Sequence, residues 1–96
     1  MTEAEYQSHL IKVLSERFPG CVVMKNDAAY QQGILDLTVL YQRYWACLEV
    51  KRSKDAGLQP NQEFFVQKLG DMSFAAIIYP ENEEEVMVAL EQAFAS

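Results

Sequence analysis

Two carboxylates and one amine are placed where apolar side chains would be expected. Asp36 interrupts the run ILDLTVLY (34–41), Glu49 interrupts YWACLEVK (44–51), and Lys51 closes the second run. Ionised carboxylates are rarely buried unless they are paired or bound to a metal. Strand alternation puts Glu49 and Lys51 on one side of the second run and Val50 on the other. With residues 42–43 as the turn of a hairpin, Asp36 and Glu49 fall opposite one another, close enough to share a cation. An oxygen-rich pair of this kind suits Mg²⁺ or Mn²⁺, whose remaining positions are filled by water and a phosphate. Such a cation polarises the phosphate and lowers the pKa of a water. Lys51 can orient that water and stabilise negative charge, and the Val50 carbonyl is a possible further ligand. The same spacing also fits an ordinary surface ion pair, which contributes little. By itself an acid followed thirteen residues later by Glu-Xaa-Lys is a weak pattern.

Other groups have lesser claims. His9 is the only histidine and has no orienting partner visible in the sequence, so it reads as a partly exposed helix residue rather than a general base. Lys25, Arg52 and Lys54 fit phosphate contacts as well as ordinary solvated loop charges. Tyr30, Tyr41, Tyr44 and Trp45 read as core or dimer-interface anchors before base-stacking groups. Asp27 opens a polar loop and reads as a turn former.

The elements that must position these residues follow from periodicity and punctuation. Tyr6, Leu10, Val13, Leu14 and Phe18 recur at helical spacing, with Ile11 widening the stripe. Thr2 and Glu5 make a capping box at the start of that helix, and Pro19-Gly20 ends it. CVVM (21–24) reads as a buried strand, residues 25–33 as a loop, and the two acid-bearing runs as antiparallel strands joined through Gln42-Arg43. Pro60 falls in the first turn of a helix carrying Phe64, Phe65, Val66 and Leu69 and stopping at Gly70. SFAAIIY (73–79) is a buried strand. Asn82 caps a last helix with apolar positions Val86, Val88, Leu90 and Phe94, whose positive end Glu83 to Glu85 favour. The expected fold is α/β, a central mixed sheet flanked by helices in the order αβββαβα, forming one domain over residues 1–96.

Composition bounds the function. Half of the 96 residues are hydrophobic, enough for a core, although a chain of this size buries a modest fraction of its surface and would gain from pairing with a second copy. Cys21 and Cys47 each sit in an apolar run and read as small buried hydrophobes, not as a disulfide framework or zinc site. The opening residues lack the pattern of a signal peptide and no stretch has the length of a membrane span, so a soluble, cytoplasmic protein with no membrane partner is expected. The net charge of −6 disfavours a strong nonspecific DNA binder. Residues 81–96 hold five glutamates and no Lys or Arg; the rest of the chain carries nine acidic and eight basic residues.

The runs GILD, LEVK and LQPNQEFFVQKLG together resemble the VRR-NUC family of the PD-(D/E)XK nuclease superfamily. That family's Gly-Xaa-Pro-Asp element matches Gly33-Ile34-Leu35-Asp36, and its Glu-Xaa-Lys element matches Glu49-Val50-Lys51. Its trailing leucine, proline and glutamine match Leu58, Pro60 and Gln62, and its opening element matches Glu3, Tyr6 and Gln7. The likeness runs from Glu3 to about Tyr79. One departure is Leu35 in place of proline, which removes a rigid φ restraint but no chemical group. Gln7 stands where related nucleases often place an acid. Glu3 and Gln7 lie one turn apart on one helix face, so either can act as a further metal ligand or support one, whereas Glu5 serves as the cap. The resemblance implies a restriction-endonuclease-like sheet and metal-dependent DNA hydrolysis, with Gln62 bonding to Lys51, to a water on the metal or to DNA. It also implies a small stand-alone protein of phage type, which can act as a homodimer on branched DNA such as four-way junctions. An exonuclease or nicking enzyme with the same centre, and a non-catalytic DNA-binding or assembly subunit, are the competing readings.

Overall fold

The computed structural model describes residues 1–95. Helix α1 spans Glu3–Arg17. It starts at the expected capping box, in which the Glu5 amide donates to the Thr2 hydroxyl (3.1 Å) and the Thr2 amide to the Glu5 carboxylate (2.7 Å). Its buried stripe is Tyr6, Leu10 and Leu14. Strands β1 (Val22–Lys25), β2 (Leu37–Tyr41) and β3 (Tyr44–Val50) follow, then α2 (Gln62–Met72), β4 (Phe74–Ile78), a 3-10 turn (Pro80–Asn82) and α3 (Glu83–Ala95). The sheet order is β1-β2-β3-β4. The first three strands are antiparallel neighbours and β4 is parallel to β3, because α2 supplies the crossover that a parallel pair needs. This is the mixed α/β sheet with the order αβββαβα.

Pleating sorts the side chains into two faces. Leu37 and Val39, Ala46, Leu48 and Val50, and Ile78 meet the buried stripes of α1 and α3 in the main core. At its far end Phe94 is ringed by Phe18 and Tyr41, with centroids 5.2 and 5.5 Å away, and by Tyr44. These tyrosines are core anchors, as expected. Arg17 holds the acidic start of α3 against α1, bonding both oxygens of Glu84 (2.8 and 2.9 Å) and one of Glu91 (3.0 Å). On the opposite face α2 lies over β3 and β4, and Asn26 after β1 reaches Thr38 of β2. Val22, Met24 and Leu40 stay exposed on it. Among the described residues no helix is long and apolar enough to cross a membrane. Both cysteines are free; Cys47 is buried and Cys21 half-buried.

Several boundaries differ from those expected. Strand β2 begins at Leu37 and not at Ile34, and β1 is shifted one residue onward. Helix α2 begins at Gln62, after Asn61 in a left-handed conformation (φ +70°), so Pro60 lies before the helix and not in its first turn. It passes through Gly70 and ends at Met72. Asn82 does not cap α3 through its side chain, which turns back to accept from the Tyr79 amide and donate to the Ile77 carbonyl. In α3 Met87 is buried and Val88 exposed, and in α2 Phe64 points outward, 59% exposed.

Because Phe94 joins α3 to β2, β3 and the end of α1, Phe94→Ala should lower the unfolding free energy by about 3–5 kcal/mol in urea titration. A loss below about 1 kcal/mol would contradict this packing.

Candidate active site

The antiparallel ladder between β2 and β3 ends at the Leu37–Leu48 pair. At the next position, where Asp36 faces Glu49, side chains replace the backbone rung. The Asp36 amide donates to Glu49 Oε1 (3.2 Å), and the Val50 amide donates to Asp36 Oδ2 (2.9 Å). This exchange ends the strand at Leu37 and brings both acids to one point, as their position across the hairpin predicts.

Glu49 is 1% exposed and Lys51 5% exposed, and Lys51 Nζ lies 3.2 Å from Glu49 Oε2. The same oxygen accepts from Gln62 Nε2 at 2.7 Å, while Gln62 Oε1 accepts from the Gln59 amide at 2.7 Å. Gln62, the first residue of α2, is thereby fixed at both ends of its amide. It bonds to Glu49 and not to Lys51. Burial first, and the Asp36 carboxylate second, push the Glu49 carboxyl up from 4.5 to about 7, against the opposing pull of Lys51.

The surrounding loops are fastened by two contacts with no signature in the sequence. Asn26 follows β1; its amide donates to the Asp36 carbonyl (2.8 Å) and its Nδ2 donates to the Leu35 carbonyl and Thr38 Oγ1 (2.9 Å each). Gly33 packs on Asn61. With φ at +88°, a Cβ on Gly33 would fall 2.5 Å from Asn61 Cβ and 2.8 Å from its carbonyl carbon. Only glycine allows the loop that carries Asp36 to meet the start of α2 so closely. Leu35 is fully buried, so packing holds the chain just before Asp36.

A cavity of about 610 Å³ opens beside the pair. Lys51, Arg52, Ala56, Gly57 and Gln59 line it on one side, and Met1, Thr2, Glu3 and Glu5 on the other. Glu3 therefore faces the cavity, but among the described residues no hydrogen bond or ion pair ties it to the acids. Gln7 is half-buried on α1 and likewise makes no hydrogen bond to them. Lys54 lines a second cavity of about 350 Å³ that shares Lys51. Lys25, Arg52 and Lys54 are exposed and form no ion pair among the described residues. His9 lies away from the acids, with Nε2 3.6 Å from Glu83 and its ring stacked on Tyr6. Asp27 is a turn former: its Oδ1 accepts from the Ala29 amide at 2.8 Å.

The donors suit a hard divalent cation. Asp36 Oδ1 accepts none of the hydrogen bonds among the described residues, Glu49 lies beside it, and the Val50 carbonyl belongs to the same strand end. No group of three or more His, Cys, Asp or Glu side chains able to hold a metal occurs among the described residues. Two carboxylates and a carbonyl, completed by water and phosphate, are the donor set Mg²⁺ commonly uses. No protein-family model, curated protein or solved structure matches the chain.

Two outcomes test this geometry. Gly33→Ala should destabilise the fold by on the order of 2 kcal/mol or more, whereas Asn61→Gly should stay within about 1 kcal/mol; equal effects would contradict the close approach. Since Glu49 is raised in the folded chain, the folded state binds a proton the unfolded state has released between pH 4.5 and 7. In a chelator, stability should therefore fall as pH rises through that window, by up to about 3 kcal/mol. A flat unfolding free energy from pH 5 to 8 would contradict the burial of this acid.

Proposed function

We propose that this chain is a metal-dependent deoxyribonuclease of the VRR-NUC type, an endonuclease hydrolysing DNA phosphodiester bonds. The observation that carries this reading is the buried Glu49–Lys51 pair beside Asp36, of which Lys51 lines a cavity that also holds Arg52. A buried ion pair is a poor stabiliser, because desolvation opposes its attraction. A second carboxylate next to it adds repulsion, which the fold keeps although a hydrophobic strand end would be more stable. That arrangement is reasonable where charge serves chemistry.

Asp36, Glu49 and the Val50 carbonyl would hold the cation. When bound, Mg²⁺ or Mn²⁺ polarises the phosphate and acidifies the attacking water. The chain's own groups supply the rest. Lys51, the only cation buried with the acids, donates hydrogen bonds to the phosphate oxygens as charge grows on them. Gln62 fixes the Glu49 carboxylate and so keeps Lys51 and Asp36 in register. Arg52 and Lys54 border the two cavities that share Lys51 and take up flanking phosphates. Hydrolysis joins the water oxygen to phosphorus and breaks one phosphorus–ester bond, leaving a hydroxyl and a phosphate at the cut. For four-way junctions the reading further needs two copies of the chain, one for each opposing strand.

Wild type and Lys51→Ala should be compared on four-way, flap, single-stranded and linear duplex DNA with Mg²⁺ or Mn²⁺. The variant should lose roughly 100-fold or more in cleavage rate. Equal rates would remove Lys51 from the centre, and a folded wild type that cleaves none of these DNAs would overturn the reading. Junction cleavage should coincide with a dimer in sedimentation; a strictly monomeric species would restrict the enzyme to one strand at a time.

A further inference from the structure

A cleft of about 570 Å³ lies beside the site, lined by Asn26, Asp27, Tyr30, Gln31, Ile34 and Thr38. Building on the nuclease reading, we propose that this cleft receives one unpaired nucleobase next to the scissile phosphate, with the Tyr30 ring as its stacking face.

Tyr30 is 92% exposed, which removes the core from its two expected places, core or dimer interface, and no other ring packs on it among the described residues. Its exposure does not come from a slack loop. The Tyr30 and Gln31 amides both donate to the Asp27 carbonyl (3.1 and 3.3 Å), the Ile34 amide donates to the Gln31 carbonyl (3.2 Å), and Asp27 Oδ1 closes the turn. An aromatic face held out in water by a hydrogen-bonded turn is prepared for a flat partner.

The cleft is joined to the reactive end of the sheet at two points. Ile34 stands two residues before Asp36 in the chain. Asn26, which lines the cleft, bonds to the backbone carbonyls on both sides of Asp36, those of Leu35 and of Asp36 itself, and to Thr38. A base seated here would therefore belong to a nucleotide close to the one whose phosphate reaches Lys51.

Charge selects which part of the nucleotide enters. The lining contains no Lys or Arg and includes Asp27, so it disfavours a phosphate and accepts a neutral group. Lys51 and Lys54 border a cavity with no acid in its lining, where a phosphate is favoured. The apolar Ile34 and the aromatic Tyr30 flank polar groups of Asp27, Gln31 and Thr38, a combination that suits a base with hydrogen-bonding edges. The volume lies in the usual range of about 300–1,000 Å³ for small-ligand sites. A base inside duplex DNA is stacked on both faces and paired at its edge, so only an unpaired or extruded base can enter. The preferred substrate then carries an unpaired nucleotide at the cut, as flaps, bulges and open junction centres do.

The test uses the full chain and a flap DNA whose cut position has been mapped. Nucleotides flanking the cut are replaced in turn by an abasic tetrahydrofuran unit, and single-turnover cleavage is measured for wild type, Tyr30→Ala and Tyr30→Phe. One abasic position should slow wild type by roughly 5- to 150-fold, the scale of a single base–aromatic stack. Tyr30→Ala should be slowed similarly on intact DNA and show no further loss at that position, while Tyr30→Phe, which retains the ring, should retain the abasic penalty. If wild type cuts DNA yet tolerates an abasic unit at every flanking position, or if Tyr30→Ala keeps the full penalty, the base site is overturned and the nuclease reading stands. A wild type that cuts no DNA overturns both.

Discussion

The end of the sheet at Asp36 and Lys51 depends on keeping the Glu49 carboxylate buried at the end of β3. The strand that carries it is central, paired with β2 on one side and β4 on the other, so Glu49 cannot turn to water without loss of strand pairing. Its charge must be met where it stands. Lys51 supplies an opposite charge, and Gln62 and the Asp36 amide supply hydrogen bonds. Each of those donors comes from a different part of the chain, so satisfying one carboxylate orders the end of β3, the approach to β2 and the start of α2 together. The Gly33–Asn61 approach then locks two of those three segments to each other. Lys51 and Gln62 share Oε2, while the Asp36 amide alone serves Oε1, so removing either side chain leaves Oε2 with one partner and the buried charge less well compensated.

Much of this was legible in the sequence because it rests on period and spacing. The capping box at Thr2, the stripe of α1, the two-residue turn at Gln42-Arg43 and the opposition of Asp36 and Glu49 all follow from local rules, and each is present. The parallel β4 followed from the helix-length connection before it. The likeness to VRR-NUC motifs pointed to Gln62, which no spacing rule would have selected. What was not legible depends on contacts between distant residues. Strand β2 was expected to run through Asp36, but side chains form the next rung and the backbone leaves the ladder. Pro60 resembles a helix start, yet Asn61 takes a left-handed conformation against Gly33 and delays the helix to Gln62. Asn26 looked like one polar loop residue among several, and its three bonds around Asp36 appear only when β1 and β2 are paired. Tyr30 was grouped with Tyr41 and Tyr44 as a core or dimer-interface anchor because aromatic type alone does not reveal which side of a turn a ring faces.

The acidity of the chain becomes easier to reconcile with a DNA substrate once its charges are placed. Glu84 and Glu91 are held by Arg17, and Glu83 accepts from the Tyr6 hydroxyl (2.9 Å) and faces His9. These acids are engaged along the α1–α3 contact, on the face of the sheet opposite α2. The basic groups Lys51, Arg52 and Lys54 follow one another closely at the end of β3. At physiological ionic strength the screening length is about 8 Å, so a phosphate at Lys51 responds to its near neighbours far more than to the net charge. On the nuclease reading, weak general attraction with local basic contacts would favour recognition of DNA shape at one point over sliding along uniform duplex.

Fastening and reactivity are also in tension at Glu49. An amide, an ammonium and a backbone N–H all use its two oxygens, and this full set of partners is what makes its burial tolerable in the folded chain. A cation approaching Asp36 must compete for the same oxygens. It would also replace the repulsion between the two carboxylates by attraction to both, a change that strengthens as water is excluded. On the nuclease reading a DNA phosphate would offer Lys51 a new partner, and a cation held by Asp36 and Glu49 would offset the loss of the Lys51–Glu49 bond. The buried Lys51–Glu49 bond thus holds this end of the sheet together, and on the nuclease reading the same two groups would be the ones released to phosphate and cation.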